Sequence, residues 1–337
     1  MRVNPLTGRR TVYTPDRAGR RFDVPGRARP PASAVPGYDP DCPFCPGNED
    51  QLAEIVVESP APAGADHGAG WQIRIVGNRF PIVTADGALG LEGDGARGRH
   101  EVVVDSPRHD RDLADMTEAE LAGVVEAYRA RVAALEEAGH EHVLLFRNRG
   151  LSGGASLVHP HAQILAADFL PAGIADQEAR ARAHYDATGR VLALDMLADE
   201  RHDGRRLVAA RGRFHAFVPH AAEVPFELWI LPDSPQARFA ALGGADLADF
   251  AGLLGDMLRR LRVALPDPSH NFTIVGASRS AGAAPWAQWA FRLYPRLTRP
   301  GGFEVATGIA VNPSLPEADA AALRDAAAGA PAAGGAT

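Results

Sequence analysis

Two histidines held apart by one proline, His159-Pro160-His161, follow the small-residue loop Gly153-Gly154-Ala155-Ser156 and precede Gln163. Small residues let backbone amides come close to a ligand, which is how loops hold phosphates. If the run that follows is a strand, His159 and His161 share a face, two positions apart. Pro160 has no N–H for a ladder, which places it at an edge or a site. A neutral imidazole at His161 suits in-line attack on an α-phosphorus, giving a nucleotidyl-histidine and dividing one transfer into two. A backbone carbonyl on the other ring nitrogen would hold the attacking tautomer. The amides of 153–156 (Gly154 among them), with the side chains of Asn148, Ser156 and Gln163, suit the charge on the non-bridging oxygens. No magnesium motif is evident, and this route needs none. The bland alternative is a turn with two surface histidines; loop, spacing and Gln163 together favour the chemistry.

The only two cysteines stand in Cys42-Pro43-Phe44-Cys45. So close a pair reads as half of a zinc site rather than a disulfide. Zinc prefers four ligands. His159 and His109 are the best candidates for the other two, each in a loop; His100 and His142 fit less well, because each opens a strand. One closed, structural Zn2+ would tie the cysteine knuckle to the histidine loop.

These residues need positioning elements. Residues 71–76 alternate as a strand and end at Gly77-Asn78-Arg79-Phe80-Pro81, where Asn78 and Phe80 suit a ribose and a base. Residues 100–104 form a strand, then the loop Asp105-Ser106-Pro107-Arg108-His109. Thr117 and Glu120 make a capping box, and Leu121, Val124, Val125, Tyr128, Val132 and Leu135 form one apolar helical stripe. Gly139 ends that helix. The strand at 142–146 delivers Arg147-Asn148-Arg149-Gly150 into the histidine loop. After a polar helical stretch at 172–206 the order recurs: strands at 214–218 and 226–231, Asp233-Ser234-Pro235, a helix at 246–264, and a strand at 271–275. Trp286-Ala-Gln-Trp-Ala then stands where His159-Pro-His-Ala-Gln stood. The pattern predicts an α+β fold of duplicated units, antiparallel sheets with helices packed on one face. Residues 1–170 would carry zinc and the reactive histidine, 171–317 a degenerate repeat, and 318–337 a flexible tail that starts helical.

The chain of 337 residues carries a net charge of -7, which argues against a general nucleic-acid or anionic-membrane binder. No apolar run is long enough for a bilayer, and the N-terminus lacks the apolar core of a signal peptide. A cytoplasmic protein is expected. Arg17 and Arg20 lie in an Arg-, Pro- and Gly-rich arm, which reads equally as a solvated segment or as a donor of guanidinium groups to phosphates.

Taken together, Asn4-Pro-Leu-Thr-Gly8, Asp16-Arg17-Ala-Gly-Arg20, Cys42-Pro-Phe-Cys45-Pro-Gly-Asn48, Asp105-Ser-Pro-Arg-His109 and the run from Asn148 to Gln163 resemble the galactose-1-phosphate uridylyltransferase family, a histidine-triad branch. The resemblance covers roughly residues 3–315. It implies a ping-pong nucleotidyltransferase of nucleotide-sugar and galactose metabolism, usually a homodimer, moving NMP from an NDP-sugar to a sugar 1-phosphate. His161 matches the nucleophile, Gln163 the phosphate-holding glutamine, and Cys42, Cys45, His109 and His159 the zinc ligands. Arg17 and Arg20 match phosphate-binding arginines that a partner subunit can supply. Asn78 and Phe80 match the nucleoside pocket, Asn148 and Ser156 phosphate contacts. The second half departs from the pattern. Gln288 and Ala290 replace histidines of another metal site, Val191 and Leu194 a second cysteine pair, and Gly308 an acidic residue of the hexose segment. No second metal is expected, and the acceptor leans toward the NDP-sugar phosphorylase branch, with phosphate or another acceptor. A non-catalytic nucleotide-binding protein is a third reading, which the intact His159-Pro-His161 and Gln163 oppose.

Overall fold

A computed structural model of the chain describes residues 1–17, 35–61, 69–87 and 96–327, with the backbone alone at Arg17. The strands in chain order are β1 (Arg2–Val3), β2 (Arg10–Tyr13), β3 (Ile55–Pro60), β4 (Trp71–Gly77), β5 (Gly98–Val104), β6 (His142–Arg149), β7 (His161–Ala167), β8 (Leu207–Arg211), β9 (Phe214–Phe217), β10 (Leu228–Pro232), β11 (His270–Val275), β12 (Ala290–Pro295) and β13 (Ala310–Asn312). The helices are α1 (Glu118–Glu137), α2 (Ala172–Thr188), α3 (Leu192–Asp203), α4 (Gly244–Ala264), α5 (Gly302–Thr307) and α6 (Pro316–Asp325).

Ten strands form one sheet in the order β3-β4-β5-β7-β6-β11-β12-β10-β9-β8, every pair antiparallel, and β1, β2 and β13 form a second, small sheet. The order reads the same from either end of its middle. The run β4-β5-β7-β6 meets β11-β12-β10-β9, and each run has a long helix, α1 or α4, between its second and third strands in sequence. The joint is β6 against β11, with Asn148 opposite Asn271.

The sequence signals have physical counterparts. Thr117 accepts from the Glu120 amide at 3.3 Å while Glu120 accepts from the Thr117 amide at 2.8 Å, a capping box at the start of α1. The six expected stripe residues of α1 are its buried ones. Alternation on the strands sends Ile73, Ile75, Val103, Val143, Leu145, Ala162 and Ile164 toward α1 and α4, where the main core lies. The two helices pack so closely that a Cβ on Gly255 would sit 2.7 Å from Leu121 Cδ2.

Two expectations need correction. Helices do not occupy one face only: α2 and α3 pack Ala181, Leu192, Ala193 and Leu197 onto Phe217, Trp229, Leu231 and Ala290, on the other side of the second-half strands. Strands there are apolar on both faces, so both must be covered; Leu228 to Leu231 are all buried. Nor does a flexible tail begin at 318. Residues 316–325 are α6, whose Ala320 and Leu323 are buried in the main core, because the apolar positions recur at helical spacing behind Pro316. Residues 328–337 lie outside the described residues. No helix among the described residues is long and apolar enough to cross a membrane.

Candidate active site and metal centre

The first-half strands keep open the face that α2 and α3 cover in the second half. His161 and Gln163 open β7 on that side, since Ala162 and Ile164, which alternate with them, enter the helix-side core. The β5 ladder sets Val104 opposite His161 and Val102 opposite Gln163, so His100 falls on the same face.

Cys42, Cys45, His109 and His159 are all buried, and their ligand atoms lie within 4.8 Å of one another. Cys42 Sγ and Cys45 Sγ are each 3.6 Å from His159 Nδ1, and Cys45 Sγ is 3.5 Å from His109 Nδ1. A tetrahedral ion with Zn–S near 2.3 Å and Zn–N near 2.0–2.1 Å gives S···N edges of about 3.6 Å, so this donor set fits a metal. The second shell fits as well. His159 Nε2 donates to the Ser106 carbonyl at 2.7 Å, which leaves Nδ1 as the free lone pair facing the thiols. Burial lowers the His159 pKa to about 4, keeping the ring neutral as a ligand must be. Burial raises Cys42 to about 12 and Cys45 upward, so bare thiolates here are costly and a cation would stabilise them. The loop is stitched by Asn48, whose Nδ2 donates to the Cys42 carbonyl at 2.8 Å and the Pro40 carbonyl at 3.1 Å. His100 and His142 stand apart: His100 joins Gln163, and His142 lies opposite Ala167 at the far end of β6 and β7.

His161 Nδ1 donates to the His159 carbonyl at 2.8 Å. Its lone pair is therefore on Nε2. Burial first, then the nearby Arg147 charge, pull its pKa down and hold the ring neutral. Phe44 of the cysteine knuckle lies against it, ring centres 5.3 Å apart. Two pockets meet at this ring. One, of about 510 Å³, is lined by Phe44, Leu52, Val76, Asn78, Phe80, His100 and Gln163. The other, of about 500 Å³, is lined by Asn148, Gly150, Leu151, Ala155 and Val158. They share Ser156, Leu157 and His161. Both volumes suit a nucleotide-sized ligand. Asn78 Oδ1 accepts from the Phe80 amide at 2.8 Å, and the Phe80 ring stands 83 % exposed at the rim.

The expected cradle of amides is only partly present. The N–H groups of Gly153, Gly154 and Ala155 donate within their own turn, to Gly150, Leu151 and Gly150 carbonyls, so Gly154 supplies shape through its φ of 81° and not a donor. That short 3-10 turn was invisible in the composition of the loop. Ser156 lines both pockets beside His161. Arg20 and the side chain of Arg17 lie outside the described residues; Arg17 closes a turn at Pro15–Arg17.

Sequence reading missed two groups. Asn271, from the second half, donates to Asn148 Oδ1 at 2.7 Å and to the Gly153 carbonyl at 2.6 Å, so it aims the Asn148 amide. Its only signal was its place opposite Asn148 across the β6–β11 joint. His100, set aside as a strand opener, contacts Gln163. Below the site, Arg147 bridges Asp105 (3.2 Å) and Asp112 (2.8 Å), and Tyr128 donates to Asp105 at 2.5 Å, all of them buried.

The model of the family described as galactose-1-phosphate uridyl transferase, N-terminal domain, matches residues 1–171. A relative from Arabidopsis thaliana named ADP-glucose phosphorylase is 28% identical over 96% of this chain and 92% of its own length. The crystal structure of an ADP-glucose phosphorylase from Arabidopsis thaliana with bound ADP-glucose superposes with a TM-score of 0.79 at 26% identity, over 96% of this chain and 97% of that one. A galactose-1-phosphate uridylyltransferase from Haemophilus influenzae is 28% identical over 75% of this chain and 71% of its own.

Proposed function

The chain belongs to the galactose-1-phosphate uridyl transferase family and is a nucleotidyltransferase-type enzyme; from that premise we propose that it moves a nucleoside monophosphate out of a nucleoside-diphosphate sugar through a covalent link to His161. The observation that carries this is the His161 ring, its Nε2 lone pair free at the junction of two pockets while Nδ1 is tied to the His159 carbonyl. The nucleoside sits in the pocket of Asn78 and Phe80, and the sugar phosphate reaches into the pocket of Asn148. Nε2 attacks the α-phosphorus, the bond to the bridging oxygen breaks, and sugar 1-phosphate leaves. An acceptor phosphate oxygen then attacks the same phosphorus and His161 returns neutral. The Nδ1–H bond to the His159 carbonyl stabilises the positive ring of the intermediate, and Gln163, Asn148 and Ser156 hold the non-bridging oxygens. Arg17 and Arg20 are assigned to the phosphates as well.

Cys42, Cys45, His109 and His159 would hold one structural zinc; bound there, it locks the knuckle and His159, and through the His159 carbonyl the ring of His161. The acceptor is a sugar 1-phosphate or inorganic phosphate. Two features favour phosphate. The relative named ADP-glucose phosphorylase matches over nearly the whole chain, and Gly308, the left-handed cap of α5, brings no carboxylate to the segment that resembles the hexose site. A boundary between repeats near 170, a cytoplasmic location that keeps both thiols reduced, and a homodimer using Leu151 and Val158, exposed beside the second pocket, complete the reading.

The test is intact-protein mass spectrometry after incubation with UDP-, ADP- and GDP-sugars. A gain of one NMP is expected, absent in His161→Ala, and released as NDP by phosphate or as NDP-sugar by a sugar 1-phosphate. Multiple turnover by His161→Ala at the wild-type rate would refute the covalent route.

A further inference from the structure

Gln163 can help a phosphate only if its NH2 group, not its carbonyl oxygen, faces the reacting centre. A free amide can flip end for end, so something must choose. The choice is made by His100, on β5 across the ladder. The backbone N–H of Ile82 points at His100 Nδ1 from 3.1 Å. An amide N–H can only donate, so Nδ1 accepts. Burial lowers the His100 pKa, and the ring is neutral. Its single proton is then on Nε2, 2.9 Å from Gln163 Oε1. Nε2–H donates, so the Gln163 atom facing it must be the oxygen. Asn78 stands beside this pair: its Oδ1 is held by the Phe80 amide, and its Nδ2 lies 3.3 Å from His100 Nε2 and 3.5 Å from the same Gln163 oxygen, of which only the oxygen can accept once Nε2 bears the proton. Both donors converge on Oε1, which leaves the Gln163 NH2 group for a ligand.

Resting on the nucleotidyl-transfer reading above, we propose that His100 is a positioning residue which, through the chain Ile82 N–H to Nδ1 and Nε2–H to Gln163 Oε1, aims the Gln163 amide at the transferred phosphate and couples it to the nucleoside loop. The two ends of the chain lie on different segments. Ile82 belongs to the turn that carries Asn78 and Phe80; Gln163 belongs to the strand that carries His161. The same ring thus links the seat of the nucleoside to the group that touches its phosphate.

The two nitrogens can be tested apart. Asn in place of His100 puts an oxygen near the Nδ1 position, keeping the tie to Ile82, but cannot reach Gln163. Gln puts an NH2 near the Nε2 position, keeping the tie to Gln163, but loses the acceptor for Ile82. The measurement is single-turnover formation of the nucleotidyl-protein, using whichever NDP-sugar labels the wild type, together with equilibrium binding of the matching NMP. His100→Asn is expected to slow labelling about ten-fold or more, since a misaimed donor forfeits part of what a positioned one supplies, with NMP affinity within about two-fold of wild type. His100→Gln is expected to retain most of the labelling rate while weakening NMP binding. A double-mutant cycle separates aim from general damage. In a Gln163→Ala background, His100→Asn should slow labelling no further. Equal labelling by wild type and His100→Asn, or full additivity in the cycle, overturns the role of His100. Absence of labelling in the wild type with every NDP-sugar instead overturns the reading on which it rests.

Discussion

Replacing Arg147 by Met should destabilise the protein by about 3–5 kcal/mol at pH 8, the range for breaking a buried ion pair from one side. Arg147 is 2% exposed and holds two carboxylates at once, Asp105 at 3.2 Å and Asp112 at 2.8 Å. Methionine fills much of the volume but leaves both acids without that cation. Asp112 keeps Arg149 as partner, while Asp105, among the described residues, keeps the hydroxyl of Tyr128. Burial already pushes Asp105 up to about 6, against the downward pull of Arg147. Without Arg147 its folded pKa rises further above the unfolded value. A raised carboxyl pKa means the folded state holds the proton more tightly, so stability falls as pH rises through that range and the variant recovers as pH drops. Each further unit of rise makes the deficit at pH 8 larger than that at pH 5 by about 1.4 kcal/mol. With an unfolding entropy of about 2.1 cal/mol/K per residue over 337 residues, 3–5 kcal/mol corresponds to a melting point lower by about 4–7 °C. Calorimetry at pH 8 and pH 5 reads both numbers. Arg262→Met is the control, because its partner Asp115 is 31% exposed and the pair is partly solvated, worth less than about 1 kcal/mol. A loss for Arg147→Met no greater than for the control, or one that does not shrink at pH 5, refutes the reasoning.

Cys42→Ser should lower bound metal from one equivalent per chain to near none by elemental analysis; a retained equivalent, or two metals in the wild type, would count against the four-ligand site. Asn271→Ala removes the donor that fixes Asn148 Oδ1 and should slow formation of the nucleotidyl-protein about five- to ten-fold, as expected for loss of roughly 1 kcal/mol of hydrogen bonding; an unchanged single-turnover rate would show that Asn148 needs no aiming. Glu227 is buried and, by that burial and then the charge of Glu223, raised to about 7. Its folded pKa exceeds its unfolded one, so stability should decline by up to roughly 3 kcal/mol from pH 4.5 to pH 7, and Glu227→Gln should flatten that slope in denaturant titrations.

Much of the fold was legible because its signals are local. The Thr117–Glu120 box, the α1 stripe and the alternation of β4 each sit within one element. The cluster was legible for a different reason: two cysteines among 337 residues leave little choice for the thiolates, and His109 and His159 stand in loops while His100 and His142 stand in strands, where the ladder keeps them apart from the cysteines. What escaped depends on pairing across long separations. The contact of His100 with Gln163 spans 63 positions and that of Asn271 with Asn148 spans 123, and neither has a spacing to betray it. The amides of Gly153 and Gly154 escaped for the opposite reason. Their fate is decided within five residues, by a 3-10 turn that competes with any ligand for the same N–H groups.

The two halves of the sheet share strand order and helix placement, so the difference in chemistry must come from what lies on the face away from α1 and α4. In the first half that face carries His100, His161, Gln163 and Asn148 beside Val102 and Val104, on which the cysteine loop packs while two pockets stay open. In the second half Gln288, just before β12, has its Oε1 accept from the Gln236 amide at 3.0 Å. Trp286 packs against the apolar layer under α2 and α3. A glutamine whose oxygen is tied to backbone and a tryptophan against helices bring no imidazole lone pair to this face. The same helices hide an apolar strand face that would otherwise meet water. The second half lends a polar group to the open site from β11, the strand that pairs with β6: Asn271 reaches across the joint to Asn148 and the Gly153 carbonyl. The open face therefore depends on the second half in two ways, for the backing of β6 and for the side chain that aims Asn148. An isolated first half would lose both at once.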